Sequence, residues 1–418
     1  MTELTKVLQV LSLVLMALTT LCYSYQFFYL FIPLFRKKPA AEPVKNRRYA
    51  VLIAARNEEA VLPHLLDSIR MQDYPSELVS VFVVADNCTD RTAEVARACG
   101  AVVYERFNDT QIGKGFAMNY LLDQIRENGG LDRFDVFLVF DADNLLTPDY
   151  ISNINVMPSM GYSVFCGYRN TKNFGTNWLT SGYGLWYLHE SCHMNASRQI
   201  TRGCCAVNGT GFGFTRQILE HLGGWNFFTL TEDIEFTNWC ATHGVKIGYC
   251  HEAIVYDEQP ISFRQSWRQR TRWVQGGLQV SFRYAGALLK GIFRGGRIGL
   301  SCLEFMTLTL WGYALSILAG ISSILLALLT TDLVGVLVML GLALCGAYAG
   351  MLFIGGWTMI MERKRIYATI GQKILSVITF PVFMLTFLPI AVTAIFRKFH
   401  WAPIEHTVAI SADDLCKK

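Results

Sequence analysis

Residues 134–150 read FDVFLVFDADNLLTPDY. An apolar, β-branched run of strand length ends at Asp141, and a second carboxylate follows at Asp143. Asn144 and a Pro-containing helix start come next. Two carboxylates one residue apart repel and lose hydration unless something positive lies between them. A divalent cation held by oxygen ligands meets that need, with Asp141 and Asp143 as its protein ligands.

Upstream, the same pattern recurs three times. YAVLIAARNEE (49–59) leads into a helical AVLPHLLDSIRMQ, and VSVFVVADNCTD (79–90) into RTAEVARACG. AVVYERF (101–107) precedes GKGFAMNYLLDQI (113–125). Strands alternating with helices at this spacing predict an α/β domain with a doubly wound, mostly parallel sheet. Such sheets bind ligands beyond the carboxyl ends of their strands. Asn57 and Glu58, Asp86 and Asn87, and Asp141 and Asp143 all sit at strand ends and therefore share one edge. No GxGxxG follows the first strand and no GxxxxGK[ST] occurs, which argues against a dinucleotide oxidoreductase or a P-loop enzyme. Lys114, in Gly113-Lys114-Gly115, puts a cation at a helix start, where an anion is welcome.

Of the 418 residues, 52% are hydrophobic and 17% charged, too apolar for an ordinary soluble protein. The excess is concentrated in 7–32, 305–329, 333–361 and 374–396, each long enough to cross a bilayer core. The expected organisation is an N-terminal anchor (1–35), a globular domain (36–258) and interfacial amphipathic helices (259–300). Membrane helices (301–396) and a tail (397–418) complete it. The first apolar run is too long for a cleaved signal peptide. Arg36-Lys37-Lys38, Arg47-Arg48 and Arg363-Lys364-Arg365 favour the cytoplasm, which puts the globular domain inside and the turn at 330–332 outside. Arg397-Lys398 favour the same side, so 374–396, bent at Pro381 and Pro389, is expected to re-enter rather than cross. The twelve cysteines are scattered without a CxxC pair and read as reduced thiols. A net charge of +4 gives no sign of nucleic-acid binding, and the compact layout suits a bacterial cell membrane.

Six motifs in order resemble those of the membrane-embedded family 2 glycosyltransferases, relatives of the cellulose, hyaluronan and poly-N-acetylglucosamine synthases. They are ARNE (55–58), Asp86 in VADNCTD, GKG (113–115), DAD (141–143), TED (231–233) and QRTRW (269–273). The resemblance implies a GT-A type domain that transfers a sugar from a UDP-sugar, with inversion, to a lipid or growing polysaccharide. Ala55, Asn57, Glu58, Asp86 and Lys114 would contact the donor nucleotide. Asp141 and Asp143 would hold Mg²⁺ or Mn²⁺, whose charge helps a nucleoside diphosphate leave. Asp233, with Glu232 beside it, would be the general base. Gln269, Arg270, Arg272 and Trp273 would serve the pyrophosphate and acceptor; 269, 272 and 273 share one helix face. Trp225 in GGWNFF would stack on the acceptor or lie in the core. WAPIEHT (401–407) resembles a C-terminal motif of several such synthases.

Plainer readings stand beside these. Asp233 also suits a helix cap, and Arg270 and Arg272 a basic face on anionic lipid. His251 reads as structural. HESCH (189–193) matches the HExxH of zinc metalloproteases, with His189 and His193 as ligands and Glu190 as base, but no third ligand follows at a recognised spacing. A non-catalytic membrane scaffold is the other alternative.

Overall fold

The computed structural model describes residues 3–36 and 44–396. Lys37, Lys38, Arg397, Lys398 and the 401–407 motif lie outside the described residues. One eight-stranded sheet organises the globular part, in the order β3-β2-β1-β4-β7-β6-β8-β5. The strands are β1 (Tyr49–Ala55), β2 (Val79–Asp86), β3 (Val102–Arg106), β4 (Val136–Asp141), β5 (Leu145–Leu146), β6 (Val164–Thr171), β7 (Phe212–Thr215) and β8 (Ile247–Asp257).

β1 to β4 are the four expected strands, and their mutual pairings are parallel. The helical crossovers that parallel pairing requires are supplied by Leu62–Arg70, Thr92–Ala98 and Lys114–Gly129. Beyond β4 the sheet turns mixed: β7 runs antiparallel to both β4 and β6, and β8 pairs with β6 in parallel. Tyr49, Val51, Leu52, Val136, Leu138 and Val139 are fully buried, as both-face coverage of a central sheet demands. Register decides where the site lies. Ala55 pairs with Ala85, and Ala54 with Asp141, so Ala55, Asp86 and Asp141 end on one edge.

Four helical segments are long and apolar enough to cross a membrane: Glu3–Phe35, Leu310–Thr330, Leu333–Glu362 and Ile370–Phe396. The second begins five residues later than expected, because the residues up to Thr307 belong to a preceding helix, Gly296–Thr307. The last is broken into Ile370–Leu385 and Phe387–Phe396. The break falls at Thr386 rather than at either proline; Pro381 stays inside the first helix, and Pro389 lies in the first turn of the second. Helix Ile370–Leu385 packs on helix Trp178–His189 of the globular part. That contact requires Gly182, where a Cβ would come within 2.4 Å of the Phe383 ring. The eleven cysteines among the described residues are all free thiols, as expected.

Candidate active site

The DAD turn folds back on itself. Asn144 Oδ1 accepts the Asp141 backbone N–H at 3.1 Å, as does Thr210 Oγ1. The two carboxylates thereby separate. Asp141 Oδ1 receives Lys114 Nζ at 2.5 Å, while Asp143 Oδ2 receives the backbone N–H of Glu258 at 2.9 Å. Asp143 is buried and Asp141 side-chain exposure is 38%. The repulsion noted in the sequence is thus met by a lysine and a backbone dipole. Lys114 can reach so far because its helix start lies tight against the 227–228 backbone. A Cβ at Gly115 would fall 2.0 Å from the Phe227 carbonyl.

Lys114 also donates to the Gly209 carbonyl at 2.7 Å. Gly209 has φ +81°, a conformation that favours glycine, and a Cβ there would sit 3.5 Å from Asp233 Oδ2 and 3.7 Å from Arg169 Nη1. Residues 208–210 thus gather four site residues: Lys114, Asp141, Arg169 and Asp233. No motif read in the sequence included this loop; its NGTG composition, a turn signal between apolar runs, was the available clue.

Glu232 and Asp233 open the helix Glu232–His243, whose N-cap is Thr231 and whose cap side chain makes no bond. Asp233 is therefore a first-turn residue rather than the cap, a place where the helix dipole favours an anion. Burial pushes both carboxyl groups up, and Glu232 rises further beside Asp233; Lys114 and Arg272 pull both back down. Arg272 donates to the Leu230 carbonyl at 3.0 Å, and Gln279 accepts the Leu230 N–H at 3.0 Å. The long helix Phe263–Phe293 thus clasps the loop that leads into the carboxylate pair.

Other expected positions distribute unevenly. Ala55 is buried at the end of β1, and the Cys88 thiol lies 3.5 Å from its carbonyl. Asn57, with φ +57°, accepts the Thr89 N–H at 2.8 Å, and the Glu58 N–H bonds Thr92 Oγ1 at 2.8 Å. These bonds tie the β1 and β2 tips together. Asp86 is buried and paired with Arg106 at 2.6 Å. Trp273 packs edge-on against Tyr183 and Tyr187, and Gln269 buries its side-chain carbonyl on the same helix.

Two expected residues leave the site. Arg270, two positions from Arg272, points the other way and is fully buried. It bonds Thr386 Oγ1 at 2.7 Å and lies 4.8 Å and 4.7 Å from the rings of Phe383 and Phe387, at the break in the last apolar segment. Trp225 is fully buried among Phe214, Phe227 and Phe236 and is a core residue, with no face for a sugar. Trp225→Ala should therefore cost about 3–5 kcal/mol of stability. The expected readout is a lower thermal midpoint with turnover of the folded fraction retained; an unchanged midpoint with lost turnover would return Trp225 to the site.

The HESCH segment is also structural. Residues Glu190–Asn195 form a π-helical stretch after helix Trp178–His189. His193 is fully buried, and Glu190 lies 3.8 Å from Arg198. Among the described residues, no three or more His, Cys, Asp or Glu side chains are grouped so that they could hold an ion between them. A zinc protease site needs three. The Asp141–Asp143 turn asks less, because a hard cation in a nucleotide site takes one or two carboxylates and completes its shell with substrate phosphates. The donor set fits such an ion.

Residues 46–276 match the glycosyltransferase-like family 2. The chain belongs to that family. Among curated relatives, it is 30% identical over 252 residues to a β-monoglucosyldiacylglycerol synthase of Synechocystis, covering 58% of this chain and 50% of that one. It is 24% identical over 243 residues to a poly-β-1,6-N-acetyl-D-glucosamine synthase of Staphylococcus epidermidis, covering 56% and 55%. The chain thus matches about half the length of these relatives. A mannosyltransferase of Pyrobaculum calidifontis, solved with GDP-mannose and Mn²⁺, shares the fold with a TM-score of 0.55 at 18% identity. That likeness covers 92% of this chain and 99% of the other, so it takes in the apolar helices as well as the sheet. The GT-A type architecture expected from the motifs is therefore the observed one.

Proposed function

We propose that this family 2 glycosyltransferase moves a sugar from a nucleotide sugar, most simply a UDP-sugar, to a membrane lipid or growing glycan, with inversion at the sugar carbon. The observation that carries the reading is the convergence of Lys114, Asp141, Asp233 and Arg169 around the 208–210 loop at the carboxyl edge of the sheet. Asp141 and Asp143 would hold Mg²⁺ or Mn²⁺, which supplies charge neutralisation of the departing diphosphate. Lys114 adds a second cation to the same anion, and Arg272, anchored on Leu230, a third. Asp233 takes the proton of the attacking hydroxyl. Burial raises its carboxyl group, and Lys114, Arg272 and Arg169 oppose that rise. Ala55, Asn57, Glu58 and Asp86 form the strand-end shelf on which the nucleoside rests, and Trp273 backs the acceptor side.

Two relatives named above are, by name, a diacylglycerol glycolipid synthase and a polysaccharide synthase, which supports an acceptor drawn from the membrane. Product analysis by mass spectrometry tests the reading, with purified protein, a panel of UDP-sugars and GDP-mannose, and extracted membrane lipids. Metal-dependent appearance of a glycosylated lipid or glycan is the expected result. A scaffold would yield none.

The basic clusters further support a cytoplasmic catalytic domain. In a background lacking the exposed Cys99 and Cys345, Thr331→Cys should react with an impermeant thiol reagent added outside intact cells. Asn128→Cys should react only after permeabilisation. The reverse pattern would separate the domain from cytoplasmic nucleotide sugars and remove the reading. The last segment is read as re-entrant: helix Phe387–Phe396 lies along Phe263–Phe293, and Gln275 donates to the Ala394 carbonyl at 2.8 Å.

A further inference from the structure

Arg169 belongs to none of the motifs, yet it is among the most heavily engaged side chains at the sheet edge. It lies near the end of β6, whose parallel pairing with β8 sets Arg169 opposite Val255 and Thr171 opposite Asp257. Its guanidinium grips Asp257 through two donors, Nε at 2.7 Å and Nη2. The remaining nitrogen, Nη1, donates to the Asn208 carbonyl. The guanidinium carbon lies 3.7 Å from the centroid of the Tyr187 ring. Planar donors and a stacking face are thus used at once, which a lysine cannot reproduce.

The consequence lies one residue further on. Asn208 precedes Gly209, whose carbonyl holds Lys114 and whose α-carbon borders Asp233. Thr210 then bonds the backbone of Asp141. A guanidinium that fixes Asn208 therefore fixes the distance between the cation expected at the diphosphate and the carboxylate expected at the acceptor. Asp257 is the rigid anchor: it is buried, and its strand neighbour Glu258 bonds Asp143 through its backbone N–H.

We propose that Arg169 is a positioning residue for sugar transfer, locking the 208–210 loop to the end of β8 so that Asp233 and Lys114 face the reacting atoms at the correct separation. The inference rests on the glycosyltransferase reading above. Displacements of about 1 Å in such a constellation cost about 100-fold in rate.

The test uses the full-length protein in lipid nanodiscs, with UDP-glucose or whichever sugar nucleotide the wild type turns over. Arg169→Lys and Arg169→Ala are compared with wild type for kcat, donor KM, Mn²⁺-dependent UDP affinity and thermal midpoint. The expected result for Arg169→Lys is a kcat lower by about 100-fold, with donor KM and UDP affinity within about threefold. Methylguanidinium added to Arg169→Ala should refill the slot over Tyr187 and raise kcat at least tenfold, roughly, without changing the thermal midpoint. A merely structural arginine would lower the midpoint and UDP affinity together with kcat and show no such recovery, and that result would overturn the proposal. So would a kcat near wild type in Arg169→Lys. No transfer by the wild type from any sugar nucleotide would instead overturn the glycosyltransferase reading, and this inference with it.

Discussion

Asp233→Asn is expected to lower sugar transfer by about 10²–10⁴-fold, the usual worth of general-base assistance, while UDP affinity and thermal midpoint stay near wild type. Asparagine nearly matches the shape of aspartate and can still accept a hydrogen bond at a helix start, but it cannot take the acceptor's proton. The N-cap is Thr231, and residue 233 lies in the first helical turn, where asparagine keeps an acceptor oxygen. A rate within a few-fold of wild type would move the base elsewhere. The pH profile offers a second readout. The base works ionised, and burial raises the Asp233 and Glu232 carboxyl groups above their ordinary range. Activity should therefore fall on acidification at a pH above the ~4 of a free carboxylate.

Asp143→Asn should weaken Mn²⁺-dependent UDP binding by about 100-fold or more, since even groups that only support a metal ligand are worth 10–100-fold. The substitution removes one anionic oxygen from the proposed hard-cation site but keeps an acceptor for the Glu258 N–H, so the turn should survive. Calorimetric titration of UDP with and without Mn²⁺ reads the effect directly. Equal metal-dependent affinity in mutant and wild type would remove Asp143 from the ligand set. Binding without metal should change little in either protein, because Lys114 and Arg272 supply charge of their own.

Much of this protein was legible in one dimension. Strand periodicity exposed β1 to β4, because each is a continuous apolar run ended by polar residues and followed by a helix. The parallel order then required their tips, and so Asp86 and Asp141, to share an edge. Length and hydrophobicity exposed the four apolar segments, since a bilayer core sets a minimum length that few other structures need. Helical spacing placed Gln269, Arg272 and Trp273 on one face. What escaped was whatever depends on packing between distant segments. β7 is four residues with a glycine, too short to show a period, and it is a strand because β4 and β6 flank it. Arg270 and Arg272 look equivalent in QRTRW, yet the docking of Phe383 and Phe387 buries one while the loop at Leu230 holds the other. Trp225 looked available in a glycine-rich loop, but four aromatic side chains enclose it, two from β7 and one each from Phe227 and Phe236. Arg169 and Asp257 carry no local signature at all, being 88 residues apart and brought together only by strand register. Sequence alone determined which residues carry charge and where strands and helices end. Only the folded chain decided which charges meet, because a side chain's partner is set by the elements packed against it.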